Sequence, residues 1–225
     1  MNKITAIIFD LDQTLLDKHE SLIRFANHQY EAYALEAFRI DREDFVQKFT
    51  EMNHVVRPKE EVYKELIEIF GIDSSLLAVM LEDLNRNFSD YAIGYPGLVT
   101  MLSELRDASF KLGMITNGRA FYQRSKIRAL GIESYFDDIV ISEAVGLRKP
   151  DPAIFQLSLS NLKLAADQAV FVGDNLKADI MPAKELGMRT IWKQRGTGHE
   201  HADMVCDDLS ALPELIQHLM QTKTG

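Results

Sequence analysis

Two aspartates one residue apart close the first apolar run of the chain, where Asp10-Leu11-Asp12-Gln13-Thr14 follows Ile4-Thr5-Ala6-Ile7-Ile8-Phe9. In an extended segment residues i and i+2 face the same way. Both carboxylates then face the crevice at the strand's carboxyl end, where open α/β sheets bind ligands. Such a pair can divide the work of group transfer. One carboxylate attacks phosphorus, while the other protonates the leaving oxygen and later activates water. Like charges this close need a counterion, and a divalent cation bound by oxygens suits them. The same residues also read as a strand-end turn with solvated acids, and alone they do not decide.

Three later segments add to them. In Met114-Ile115-Thr116-Asn117-Gly118 a hydroxyl and successive backbone N–H groups suit phosphate oxygens, which makes Thr116 and Asn117 candidate phosphate binders. Alone, this reads better as a strand-to-helix cap with a permissive glycine. In Arg148-Lys149-Pro150-Asp151-Pro152 two prolines flank a rigid turn that fixes the direction of Lys149. In Gly173-Asp174-Asn175-Leu176-Lys177-Ala178-Asp179 a glycine follows a buried run, and two acids five apart suit a metal ligand and a supporting carboxylate. Asp179 also reads as a helix N-cap, with Pro182 in the first turn.

The elements that must position these residues are legible in the pattern. Apolar runs at Ile4–Phe9, Lys111–Ile115, Ile139–Ile141, Ala169–Val172 and Thr190–Trp192, with a weaker one at Met204–Cys206, read as strands covered on both faces. Helical patterns lie between them. Pro96 opens one, with Leu98, Met101, Leu102 and Leu105 on a stripe; Gly131 and Gly187 stop others. Strands alternating with helices predict a doubly wound parallel α/β sheet. Residues 15–93 break that rhythm. Leu22, Phe25, Ala26, Tyr30, Tyr33 and Ala34 keep helical spacing; Asp41 caps a second helix; Pro58 opens a third, stopped at Gly71; and Asp73 or Ser74 opens a fourth. The expectation is a core of residues 1–14 and 94–225 carrying a four-helix insert at 15–93.

Composition narrows the partners. The 225 residues carry 25 Lys and Arg against 34 Asp and Glu, a net charge of −9. That balance repels polyanions, so a nucleic acid polymer and an anionic membrane surface are poor partners, although a local positive pocket for a small anion is allowed. Cys206, the one cysteine, allows no intrachain disulfide and fits a reducing compartment. No segment approaches the roughly 18 apolar residues needed to span a bilayer, and Ile4–Phe9 is too short for a signal peptide. The cytoplasm is the expected location. Nothing in the sequence gives the oligomeric state.

Taken together, the four segments stand in order at the carboxyl ends of four predicted strands. In this the chain resembles, over essentially its full length, the haloacid dehalogenase superfamily of phosphohydrolases, in the subgroup with a helical cap inserted after the first motif. The resemblance implies a Rossmann-like core, an aspartyl-phosphate intermediate and Mg²⁺. It assigns Asp10 as nucleophile, Asp12 as acid/base, and Thr116 and Lys149 as phosphate binders. It assigns the metal to Asp10, the backbone carbonyl of Asp12, and Asp174, with Asp179 bracing the site. The dehalogenases of the superfamily lack the second aspartate, so Asp12 favours phosphoryl transfer. The phosphomutase branch shares all four motifs and stays as an alternative, as does, from a different class, a non-catalytic phospho-ligand binder. Gln13 stands where glycine or asparagine is commoner. The implied substrate is a small phosphorylated metabolite, over which the cap would close to exclude bulkier phosphoesters.

Other features are set aside. His199, Glu200 and His201 lack a third ligand at matching spacing, and Gly196-Thr197-Gly198 does not open a helix after the first strand. Cys206 reads as a small buried hydrophobe. Phe25, Tyr30, Tyr33, Phe45 and Phe49 read as the core of the insert, and His19, Arg24, His28 and Arg57 as solvated residues that could reach a substrate.

Overall fold

The computed structural model describes residues 3–55, 57–194 and 200–221. The chain forms two compact units, Met1–Leu16 with Gly94–Gly225, and Asp17–Ile93. In chain order, strand β1 (Ala6–Phe9) precedes helices α1 (Lys18–Ala32), α2 (Arg42–His54), α3 (Lys59–Phe70) and α4 (Leu76–Asn87). Then follow α5 (Leu98–Asp107), β2 (Lys111–Thr116), α6 (Ala120–Ala129), β3 (Asp138–Ile141), α7 (Ser142–Val145), α8 (Pro152–Leu162) and β4 (Ala169–Gly173). The chain ends with α9 (Met181–Glu185), β5 (Arg189–Lys193), β6 (Met204–Cys206) and α10 (Leu212–Gln221).

The strands form one parallel sheet in the order β3-β2-β1-β4-β5-β6. Every residue of β1 is fully buried, which explains its unbroken apolar composition: helices cover both faces of a central parallel strand. The winding reverses between β1 and β4, so the crevice of a doubly wound sheet opens at their carboxyl ends. Register levels those ends. Phe9 pairs with Met114 on one side and Val172 on the other, and Asp10 N continues the ladder by donating to Val172 O at 2.9 Å. The residues just past these strands therefore meet at one edge.

Three local expectations are corrected. Pro96 does not open α5. It sits in a turn before Gly97, whose φ of 78° ends that turn, and the helix begins at Leu98. Asp179 is not an N-cap. Asn175 caps a π-helical turn (Leu176–Ile180) through Oδ1, which accepts from Lys177 N and Ala178 N at 3.1 and 3.0 Å, and Asp179 lies inside that turn. Neither Asp73 nor Ser74 caps α4: Ser75 is its cap residue, and Asp73 accepts from Ser75 N.

The helical unit has its own core. Phe25, Tyr30, Phe45, Phe49, Val62 and Tyr63 are buried in it, while Tyr33 is half-buried with its hydroxyl donating to Val79 O. Asp17 and Asp41 cap α1 and α2. The polar residues picked out from this stretch have partners within the unit. Arg24 pairs with Glu20, Arg57 pairs bidentately with Glu65, His19 meets His54 at 3.1 Å, and His28 packs between Asp83 and Tyr91. Among the described residues, no helix is long and apolar enough to cross a membrane.

Candidate active site

All seven residues expected to carry chemistry belong to the parallel-sheet unit, and the structure brings them to the carboxyl ends of β1, β2 and β4. Lys149 is the hub. It is buried, and its Nζ lies 2.6 Å from Asp10 Oδ1 and 2.7 Å from Asp179 Oδ1. Asn117 holds the lysine from behind. Its amide Nδ2 donates to Lys149 O and its Oδ1 accepts from Lys149 N, both at 2.9 Å. The Asn117 side chain thus ties the end of β2 to the Lys149 loop. Asp179 uses its other oxygen, Oδ2, to accept from Asn175 N at 3.0 Å, and the Asp174 carbonyl accepts from Trp192 Nε1 at 2.8 Å. The Asp179 carboxylate is therefore pinned by the loop itself, and the Asp174 backbone by β5.

The chain after β1 coils tightly rather than staying extended. Leu11 O accepts from Thr14 N, Leu15 N and Leu16 N at 3.3, 3.0 and 2.9 Å. Gln13 adopts the left-handed conformation, with φ of 65°. That conformation favours glycine or asparagine, which gives the physical reason those residues suit this position. Asp12, half-buried, reaches partners on α6: Lys126 Nζ at 2.7 Å from Oδ1 and Gln123 Nε2 at 2.9 Å from Oδ2. Gln123 Nε2 also donates to Thr116 Oγ1 at 2.6 Å. Past the ends of β2 and β3 a cavity of about 370 Å³ is lined by Gly118, Arg119, Ser142, Glu143, Leu147 and Arg148, among others.

The electrostatics suit a cation. One oxygen each from Asp10, Asp174 and Asp179 lies within 4.8 Å of the others. Three carboxylates against Lys149 leave a formal excess of two negative charges. Burial pushes Asp10 well up from the usual carboxylate range, which Lys149 offsets only in part and Asp179 and Asp174 reinforce. Asp174 rises to about 6, through burial and then the charge of Asp179. Burial works against the Lys149 charge, but Asp10 and Asp179 outweigh it, so the lysine is raised and stays protonated. A divalent cation bound by oxygens would balance the excess and offset both acid shifts, so the donor set fits one.

Sequence reasoning missed Gln123 and Lys126. A glutamine and a lysine three apart on a helix look solvated. One signal was present: Gln123 stands four residues before Ile127 and seven before Leu130, on the apolar stripe of α6, and it is buried. His199 and Gly196-Thr197-Gly198 lie outside the described residues, while Cys206 is buried.

The family model for haloacid dehalogenase-like hydrolases matches residues 7–193. A glyceraldehyde 3-phosphate phosphatase from Methanocaldococcus jannaschii is 30% identical over 228 residues, covering 96% of this chain and 98% of that protein. A haloacid dehalogenase-type phosphatase of known structure from Thermococcus onnurineus is 27% identical with a TM-score of 0.64, covering 94% of this chain and 97% of its own. A 2-haloacid dehalogenase from Pseudomonas syringae is 28% identical with a TM-score of 0.63, covering 96% and 99%. The match spans the parallel-sheet unit and the helical unit alike, and with the carboxylate–lysine cluster at the winding reversal it means that the chain belongs to the haloacid dehalogenase-like hydrolase family.

Proposed function

We propose that this chain is a Mg²⁺-dependent phosphatase that hydrolyses a small phosphate monoester through an aspartyl-phosphate on Asp10. The observation that carries the reading is the Lys149 ammonium held between Asp10 and Asp179, with Asp174 in the same carboxylate cluster. Lys149 Nζ engages Asp10 Oδ1, which leaves Oδ2 as the attacking oxygen. As Oδ2 forms a bond to phosphorus, the bond from phosphorus to the ester oxygen breaks, and Asp12 in its protonated form passes its proton to that oxygen. Water then attacks phosphorus, Asp12 takes a proton from it, and Asp10 and inorganic phosphate are released. Thr116 and Lys149 donate to the phosphoryl oxygens where charge accumulates. Asn117 serves by holding Lys149 in place.

Asp10, Asp174 and the Asp12 carbonyl would hold the Mg²⁺, and Asp179 braces them. When bound, the cation shields the Asp10 carboxylate from the phosphate dianion.

Asp12 separates this reading from dehalogenation, the reaction named for one structural neighbour, because a halide leaves without a proton. The Asp17–Ile93 unit is proposed as the cap that selects the leaving group, consistent with the net charge of −9 that disfavours polyanions. The test is release of inorganic phosphate from a panel of phosphorylated metabolites with Mg²⁺ and with EDTA. Metal-dependent release from at least one small monoester is expected. An isomerised phosphate ester in place of free phosphate would make the chain a mutase, and no turnover of any monoester would end the proposal.

A further inference from the structure

Gln123 is a buried amide that faces three groups of the site at once. Its Nε2 lies 2.6 Å from Thr116 Oγ1, 2.9 Å from Asp12 Oδ2 and 3.3 Å from Asn117 O, while its Oε1 lies 2.9 Å from Lys126 Nζ. These partners fix the amide's orientation. A carboxylate only accepts and an ammonium only donates, so the NH₂ must point at Asp12 and the oxygen at Lys126. The two amide hydrogens are taken by the two short contacts. Thr116 Oγ1 is therefore an acceptor from Gln123, and its own hydrogen is directed elsewhere. Gly118 keeps the arrangement close: a Cβ there would stand 2.9 Å from Gln123 Cδ.

From this geometry we infer that Gln123, locked by Lys126, is a positioning residue that polarises the site. It makes the Thr116 hydroxyl a donor toward a phosphoryl oxygen and holds the Asp12 carboxylate toward the leaving group. Lys126 and Gln123 occupy both oxygens of Asp12 from one face of α6, so the carboxylate has a single orientation. The inference rests on the phosphatase reading for the identity of the ligand, but its first readout does not need turnover.

Binding of inorganic phosphate by calorimetry in the presence of Mg²⁺ tests it on two single variants of Gln123 and on a cycle with Thr116→Val. Gln123→Met removes the donor, and Gln123→Glu keeps the shape and the acceptor for Lys126 but cannot donate to Thr116. Each should weaken phosphate binding by roughly 10- to 100-fold, the range of a hydrogen bond to a charged group. Wild-type affinity in Gln123→Glu would mean that Gln123 only fills space, and the inference would fall. In a Thr116→Val background, Gln123→Met should cost clearly less than in the wild type, because its route to phosphate runs through the hydroxyl. Additive losses would overturn that route.

Lys126→Met keeps the inference testable if the Gln123 variants do not fold. It should lower kcat for alkyl phosphates at least ~5-fold more than for aryl phosphates, since only alkyl leaving groups need the proton from Asp12. An unchanged alkyl-to-aryl ratio would remove Lys126 and Gln123 from the positioning of Asp12. If the wild type binds phosphate but turns over no ester, the phosphatase reading fails while the binding comparison still judges Gln123.

Discussion

Gly173, the last residue of β4, has no room for a side chain because Asp179 occupies the space: a Cβ there would lie 2.6 Å from both Asp179 Cβ and Asp179 Oδ2. The same Oδ2 accepts from Asn175 N, and Oδ1 pairs with Lys149. The glycine therefore lets the acid fold back over the strand end and reach the buried lysine. Gly173→Ala should push Asp179 off these partners. Overpacking of this kind costs about 1–3 kcal/mol, a fall of roughly 2–12 °C in Tm for a chain this size, and kcat should drop with it. Thermal denaturation and phosphate release measure the two effects. Unchanged stability together with unchanged turnover would mean that Asp179 need not sit there.

The two aspartates of the first motif should fail in different ways. Asp10→Asn should lower kcat by on the order of 10³-fold or more, because an amide does not form the acyl-phosphate. Asp12→Asn should cost alkyl phosphates ~10²- to 10⁴-fold but aryl phosphates less than about tenfold. Steady-state kinetics on matched alkyl and aryl esters tests both. Equal losses on the two ester classes would take the general-acid role from Asp12.

Much of this site was legible because three of the four motifs stand right after a buried apolar strand, and the Lys149 motif follows β3 with only the short α7 between. The strand runs read from the sequence lie within two residues of β1 to β6 at either end, and parallel topology then forces their carboxyl ends together. Helix starts were less legible. Pro96 and Asp179 both carry the residue type of a helix opening, but Gly97 in a left-handed conformation and the Asn175 cap decide the local geometry. Gln123 and Lys126 were not legible as site residues, since their role depends on which face of α6 meets Asp12, a tertiary fact. The Asn117 side chain is similar: reading it as a phosphate binder gave no hint that its amide clamps the Lys149 peptide.

Gln13 carries backbone strain that a substitution can relieve. A left-handed conformation costs an ordinary residue about 1–2 kcal/mol, and glycine avoids that cost while adding entropy to the unfolded chain. Gln13→Gly should stabilise the protein by a net ~0.5–1 kcal/mol, a rise of about 1–4 °C in Tm. Gln13→Val, branched at Cβ, should destabilise it. Differential scanning calorimetry of both variants checks the sign, and a Gln13→Gly variant less stable than wild type would show that the side chain outweighs the strain.

The helical unit can be removed at its junction. Asp17 N donates to Ile93 O at 2.9 Å and Ile93 N to Ser21 Oγ at 3.0 Å, so the first and last residues of that unit are neighbours. A short Gly/Ser linker in place of residues 17–93 should therefore leave the parallel-sheet unit folded. If this unit selects the substrate, kcat/KM for small metabolites should fall while a phosphopeptide becomes a competitive substrate. An unchanged preference, in a linker variant shown to be folded by circular dichroism, would take selection away from it.

Stability of the metal-free protein should fall as pH rises, and Mg²⁺ should reverse that fall. Asp10 and Asp174 both hold their protons more tightly in the folded chain than in the unfolded one, Asp174 up to about 6 and Asp10 further. A raised pKa contributes stability that is fully present below the unfolded value near 4 and is lost as pH climbs through the folded value. Without metal, the loss from Asp174 should run from about pH 4 to about pH 6, and that from Asp10 should continue to higher pH. A cation competes with these protons for the same oxygens, so it binds best once they have left. The rise in Tm on adding Mg²⁺ should be small at pH 5 and about 5–10 °C at pH 8, at a concentration near a hundred times Kd. Asp174→Asn should flatten the part of this dependence between about pH 4 and pH 6. The readout is the difference in Tm between Mg²⁺ and EDTA at each pH, which cancels the titration of carboxylates elsewhere. An equal difference at pH 5 and pH 8 would mean that the cluster of Asp10, Asp174 and Asp179 is not where the cation binds.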